Sequence, residues 1–90
     1  MHQIRERLFL ASLPDIHKTE QLISNGVNHI LTVDSNELDE KLLQKLTQHG
    51  IRFDFAPMMD TPNFNLFNVI EDVLTMLTSR RNSDVTVVHW

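Results

Sequence analysis

Short apolar runs alternate with amphipathic stretches along the whole chain. The first run is Leu8, Phe9, Leu10 and Ala11. Leu13, Pro14 and Asp15 then read as a turn into a helix over roughly Ile16 to Asn25, with Ile16, Leu22 and Ile23 apolar. Asp15 suits the N-cap, because its carboxylate accepts free amide hydrogens of the first turn. Gly26 suits the stop, because glycine enters the left-handed conformation cheaply. The second run spans Val27 to Val33 and ends in a turn or cap cluster, Asp34, Ser35 and Asn36. A second helix is predicted over roughly Glu37 to Gln48, closed by Gly50. Its Leu38, Leu42, Leu43 and Leu46 fall at the three- and four-residue spacing of one apolar stripe. The third run, Ile51 to Phe55, alternates as a half-buried strand does.

Ala56 to Asn63 contains two prolines and no apolar period, which predicts a loop. A long helix follows over about Asn65 to Ser79, with Leu66, Phe67, Ile70, Val73, Leu74 and Leu77 as its buried face. Arg80 to Asp84 is a polar turn. Val85 to Trp90 closes the sequence with a run apolar enough for a central strand covered on both faces. Four strands alternating with three helical stretches predict an α/β fold, with helices packed on a largely parallel sheet of about four strands.

Composition narrows the function. Ninety residues suit one small domain. With 41% hydrophobic and 22% charged residues, the chain has the balance of a globular protein. No apolar run approaches the roughly 20 residues that span a bilayer. The polar start, Met1 to Arg7, lacks a signal peptide's apolar core, so a cytoplasmic or nuclear location is expected. The formal charge of −4 and scattered basic residues supply no basic face for nucleic acid. Arg80 and Arg81 read as a solvated helix end. The sequence contains no cysteine, so it has no disulfide, thiolate metal site or thiol nucleophile. His2, His17, His29, His49 and His89 have no ligand-like spacing, and no metal or cofactor is expected. No serine lies in a nucleophile-elbow pattern, and with only two glycines there is no glycine-rich phosphate loop.

Three segments occur in a telling order. LFLASLPD (Leu8 to Asp15) leads into TEQLISNGVNHILTVDS (Thr19 to Ser35). MMDTPNFNLF (Met58 to Phe67) joins the loop to the long helix, and VTVVH (Val85 to His89) follows that helix. Together they resemble the dual-specificity phosphatases of the protein-tyrosine phosphatase superfamily. The resemblance covers essentially the whole chain and the N-terminal part of that catalytic domain. It implies a partial protein-tyrosine-phosphatase-like fold, with residues 1–90 as an incomplete domain ending before the Cys-x5-Arg loop. The LTVDS strand ending is also reminiscent of a subgroup with a zinc-binding tail, which is not present here.

The family's chemistry explains what each position is for. Backbone amides and a helix N-terminus cradle the phosphoryl oxygens, and an arginine grips two of them. That field lowers the pKa of a cysteine, which attacks phosphorus as a thiolate. An aspartic acid on a separate loop protonates the leaving oxygen. By resemblance, Asp60 takes the general-acid position, set by the Asn65-Leu66 helix start after it. Read from its surroundings alone, it is an ordinary loop or capping aspartate. His89 takes the position of the histidine that orders the cysteine loop, or is simply a polar residue ending a buried strand. Trp90 stands where the cysteine would stand, and indole is no nucleophile. Met58 and Met59 read as loop packing.

The resemblance therefore implies hydrolysis of phosphotyrosine and phosphoserine or phosphothreonine as the family activity, with no activity expected of these 90 residues. Two alternatives stand beside it. One is a non-catalytic, pseudophosphatase-like binding or regulatory protein, whose partner is a phosphoprotein or another protein, or a second copy meeting an uncovered last strand. The other is the product of an incomplete gene model.

Overall fold

The computed structural model of the protein describes residues 1–58, 66–81 and 83–89, and the side chains of Leu66, Phe67 and Val69 lie outside that description. The elements in chain order are β1 (His2–Arg5), β2 (Leu8–Ala11), α1 (Leu13–Ile16), α2 (Thr19–Ser24), β3 (His29–Asp34), α3 (Glu40–Thr47), β4 (Arg52–Pro57), α4 (Leu66–Thr78) and β5 (Thr86–His89). The strands form a single sheet in the order β1-β2-β5-β3-β4. β5 runs parallel to both β2 and β3, and β4 runs parallel to β3.

The sheet is five-stranded and mixed, which corrects the expected sheet of about four largely parallel strands. The extra strand, β1, pairs antiparallel with β2. Its sequence, HQIR, has one apolar residue, and all four positions are exposed, so it carries no hydrophobic period to read. The turn to β2 places Arg7 at φ 60, a conformation usually signalled by Gly, Asn or Asp.

The first helical stretch is two short helices rather than one. Ser12, not Asp15, is the N-cap of α1. The Asp15 carboxylate reaches back to accept from the Ser12 amide at 3.2 Å and the Ser12 hydroxyl at 3.1 Å. Asp15 thus serves as the third-position acid of a capping box, and Pro14 sits in the first turn where its missing N–H is harmless. Gly26 and Gly50 have φ of +75 and +77, the left-handed stops expected of them. α3 starts at Glu40 rather than near Glu37, because the Asp39 carboxylate accepts from the Lys41 amide at 3.1 Å and caps the helix there.

Strand alternation divides the core between the two sheet faces. Ile30 and Val87 pack with Ile16, Leu22, Leu42 and Leu46 of α1, α2 and α3. Their chain neighbours Leu31 and Val88 pack on the opposite face, with Val73, Met76 and Leu77 of α4 against them. Burying each such side chain contributes about 1.5–3 kcal/mol. The buried face expected of α4 is only partly right: Ile70 is 46% and Leu74 56% exposed. The described part of α4 lies mainly over β3 and β4, and the side of its apolar stripe that carries Ile70 and Leu74 faces away from the sheet. No helix among the described residues is long and apolar enough to cross a membrane.

β5 is hydrogen-bonded on both edges and its four residues are buried. An uncovered last strand is therefore not what the structure contains. The entry to β5 is fixed by a charge: Asp84, with no exposed surface, lies immediately before the strand. It accepts from the Arg81 amide at 2.9 Å and from Asn28 Nδ2 at 3.2 Å, and it pairs with the Arg52 guanidinium. Asn28 Oδ1 in turn accepts from the Val85 amide at 2.8 Å. Burial disfavours the Asp84 charge, but the Arg81 amide and the Arg52 and Arg81 guanidiniums outweigh it and hold its pKa at about 2.

Removing Asp84 leaves the Arg52 guanidinium, the Arg81 amide and the Asn28 side chain without their acceptor. Asp84→Ala is expected to lower unfolding free energy by about 1–3 kcal/mol, the cost of leaving hydrogen-bond donors without their buried acceptor, because the Arg52 and Arg81 side chains are themselves partly exposed. Because the folded pKa is depressed, this stabilisation is complete above the ordinary value of 3.8 and is lost as pH falls toward about 2. Urea midpoints measured across that window should fall less steeply for Asp84→Asn than for the wild type. Parallel slopes would contradict the assignment.

Candidate functional site

In a parallel sheet, ligands bind outside the carboxyl ends of the strands where successive connections part. Here the chain passes from β2 to β3 and leaves between them the position that β5 later fills. His89 ends β5 and Asp34 ends β3, so both stand at that parting. His89 lies level with Ala11 on one side and Thr32 on the other.

A pocket of about 260 Å³ opens there. It is lined by Leu13 and His17 from α1 and its C-cap, by Asp34, Asn36, Glu37, Leu38 and Asp39 from the β3–α3 connection, and by Leu42 and His89. His89 is 2% exposed, and its Nδ1 has no hydrogen-bond partner among the described residues. Burial pushes the His89 pKa below its ordinary value, and the negative charge of Asp34 offsets part of that shift. Asp34 Oδ1 accepts from the Ser35 amide at 2.6 Å and from the Ser35 hydroxyl at 3.3 Å. Asp34, Glu37 and Asp39 form no ion pair among the described residues. The described residues hold no group of three or more His, Asp or Glu side chains placed to bind a metal ion.

A second polar cluster lies toward the amino ends of the strands. His29 Nε2 is 2.7 Å from Asp54 Oδ2, and His29 Nδ1 is 3.0 Å from Thr86 Oγ1. The carboxylate only accepts, so with the ring proton on Nε2 the Thr86 hydroxyl donates to Nδ1. Nucleophile, base and acid are thus in sequence, but Thr86 has no exposed surface and meets no substrate. The cluster joins β5, β3 and β4 across the sheet and satisfies a buried imidazole.

Of the residues singled out by sequence, His89 lies at the carboxyl-end pocket. Asp60, expected at the general-acid position, and Trp90, expected at the cysteine position, fall outside the described residues. Met58 packs on the α4 face of the sheet, as loop packing predicts, and its amide donates to the Asp34 carbonyl at 2.8 Å. Arg80 Nη1 donates to the Arg7 carbonyl at 2.8 Å, which ties the end of α4 to the β1–β2 turn. The acidic rim of Asp34, Glu37 and Asp39 went unread as a site, because the same residue types serve as turns and caps. The available signal was an aspartate at the carboxyl end of a predicted parallel strand. No protein-family model matches the chain, and no curated protein matches it.

His89 provides a direct check on this geometry. Its imidazole should titrate below the ordinary 6.5 in a histidine NMR series. A folded pKa lowered in this way makes folding less favourable as pH falls through 6.5, since the unfolded chain takes up the proton first. Asp34→Asn removes the charge that offsets burial and should move the His89 pKa further down. An upward movement would refute the influence of the Asp34 charge on His89.

Proposed function

We propose that the chain is a dual-specificity phosphatase-like domain segment with no phosphatase activity of its own. The observation that carries the reading is the place of His89, buried at the carboxyl end of a central parallel strand between β2 and β3. That is where the resemblance puts the strand leading into the cysteine loop. The order of LFLASLPD, LTVDS, MMDTPNFNLF and VTVVH along the chain supports the same kinship.

The chemistry separates kinship from activity. Attack on phosphorus by this route needs a thiolate, and the sequence holds no cysteine. It also needs an arginine beyond the strand to clamp the transferred group, and Arg80 and Arg81 come before it. In this reading Asp60 keeps the position of the acid with no thiolate to assist. A non-catalytic binding role is favoured by the pocket beside His89, which is formed without any catalytic loop.

Two experiments test the proposal separately. With an aryl phosphate, the purified chain should give no turnover above buffer, and phosphatase activity that copurifies through successive columns would end the claim of inactivity. Kinship is tested by position. Because the sequence has no cysteine, Asp60→Cys gives one thiol for a nitroxide spin label. Kinship predicts that the label broadens amide signals at Ala11, Asp34 and His89 more than those at Leu8, His29 and Thr86. The opposite pattern would place Asp60 at the wrong end of the sheet.

A further inference from the structure

The pocket beside His89 has an unbalanced charge. Asp34, Glu37 and Asp39 line it with two histidines, His17 and His89, and no lysine or arginine does among the described residues. Each aspartate has one oxygen committed locally: Asp34 Oδ1 to Ser35 and Asp39 Oδ2 to the Lys41 amide. Their other oxygens and the Glu37 carboxylate have no hydrogen bond among the described residues. Leu13, Leu38 and Leu42 supply an apolar wall beneath this rim, and Leu13 is 47% exposed. Beside them His89 is buried with an unpartnered Nδ1, an arrangement that native interiors rarely leave unfilled.

These features select a ligand by its chemistry. Carboxylates over an apolar wall match a cation on a methylene stem, whose carbons lie on the leucines while the head reaches the rim. A metal ion is a poorer fit, since hard cations need six or more converging oxygens, and the described residues converge on no such centre. Between the two biological cations on such stems, guanidinium is the better match. It is planar, forks to carboxylates, and leaves water more readily than ammonium. It also brings five N–H donors in a fixed fork, against the three of an ammonium. We propose that this pocket receives an arginine side chain of a partner polypeptide. The inference goes beyond the phosphatase-like reading and does not depend on it, since it uses only the pocket as it stands.

The test is an NMR titration of the folded chain with N-acetylarginine amide. N-acetylnorleucine amide, with an uncharged stem, and N-acetylglutamate amide serve as controls at the same ionic strength. The arginine compound should give saturable shifts at residues 34–39 and at His89, and the controls none. Asp34→Asn with Glu37→Gln should weaken that response by about fivefold or more, the scale expected for two partly exposed ion pairs. The amide introduced by Asp34→Asn keeps an oxygen for Ser35 to donate to, and Glu37→Gln alone, at an exposed position, serves if the double variant unfolds. Absence of saturation, an equal response to the norleucine compound, or unchanged affinity in the folded variant would overturn the proposal. Loss of this proposal would leave the spin-label result on Asp60 untouched.

Discussion

The buried carboxylate of Asp84 is the constraint on which the arrangement depends. β5 follows the other described strands in sequence but lies inside the sheet, between β2 and β3, each of which pairs on its far side with another strand. Hydrophobic burial drives that insertion without fixing its register, because apolar attraction has no direction. Asp84 supplies the direction. Held by Asn28 ahead of β3 and by Arg52 at the start of β4, it sets where β5 begins. A one-residue slip would exchange the faces of Val87 and Val88 and turn His89 away from its pocket. The His29 cluster adds a second polar tie between the same three strands, through Thr86 and Asp54.

The two ends of the sheet therefore have different physical roles. At the amino ends, the charges of Asp84, Arg52 and Arg81 are mutually paired, and the buried imidazole of His29 is satisfied on both nitrogens. Such networks specify a structure and leave little capacity for a ligand. At the carboxyl ends, the carboxylates form no ion pair among the described residues, and a buried imidazole nitrogen lacks a partner there. That residual capacity is what a binding site requires. The asymmetry follows the general behaviour of parallel sheets, in which function collects where the strands end.

Much of this was legible in the residues. β2, β3, β4, β5 and the helical stretches followed from apolar runs and three- and four-residue spacing, and both glycine stops lie where they were expected. What escaped was polar. β1 has almost no apolar signal, and its turn residue, Arg7, is not a typical turn former. Ser12 displaced Asp15 as the cap because the two form a capping box, with the serine at the cap and the acid at the third helical position. Asp84 looked like one more residue of a charged turn, since burial of a charge depends on partners far apart in sequence. Ile70 and Leu74 matched a helical stripe, but periodicity does not report which side of the stripe faces the sheet. The candidate site was half legible: His89 was singled out by the family resemblance of the VTVVH segment, whereas the acidic rim emerged only when folding brought the β3–α3 connection beside it.

The account stands on β5 being a central, buried strand whose register delivers His89 to the pocket. Native-state amide hydrogen exchange measures this most directly. The account predicts that the amides of Val87, Val88 and His89 exchange only with global unfolding, while those of the exposed β1 exchange much earlier. Exchange in β5 as fast as in β1 would contradict a central β5, and with it the site built at its end.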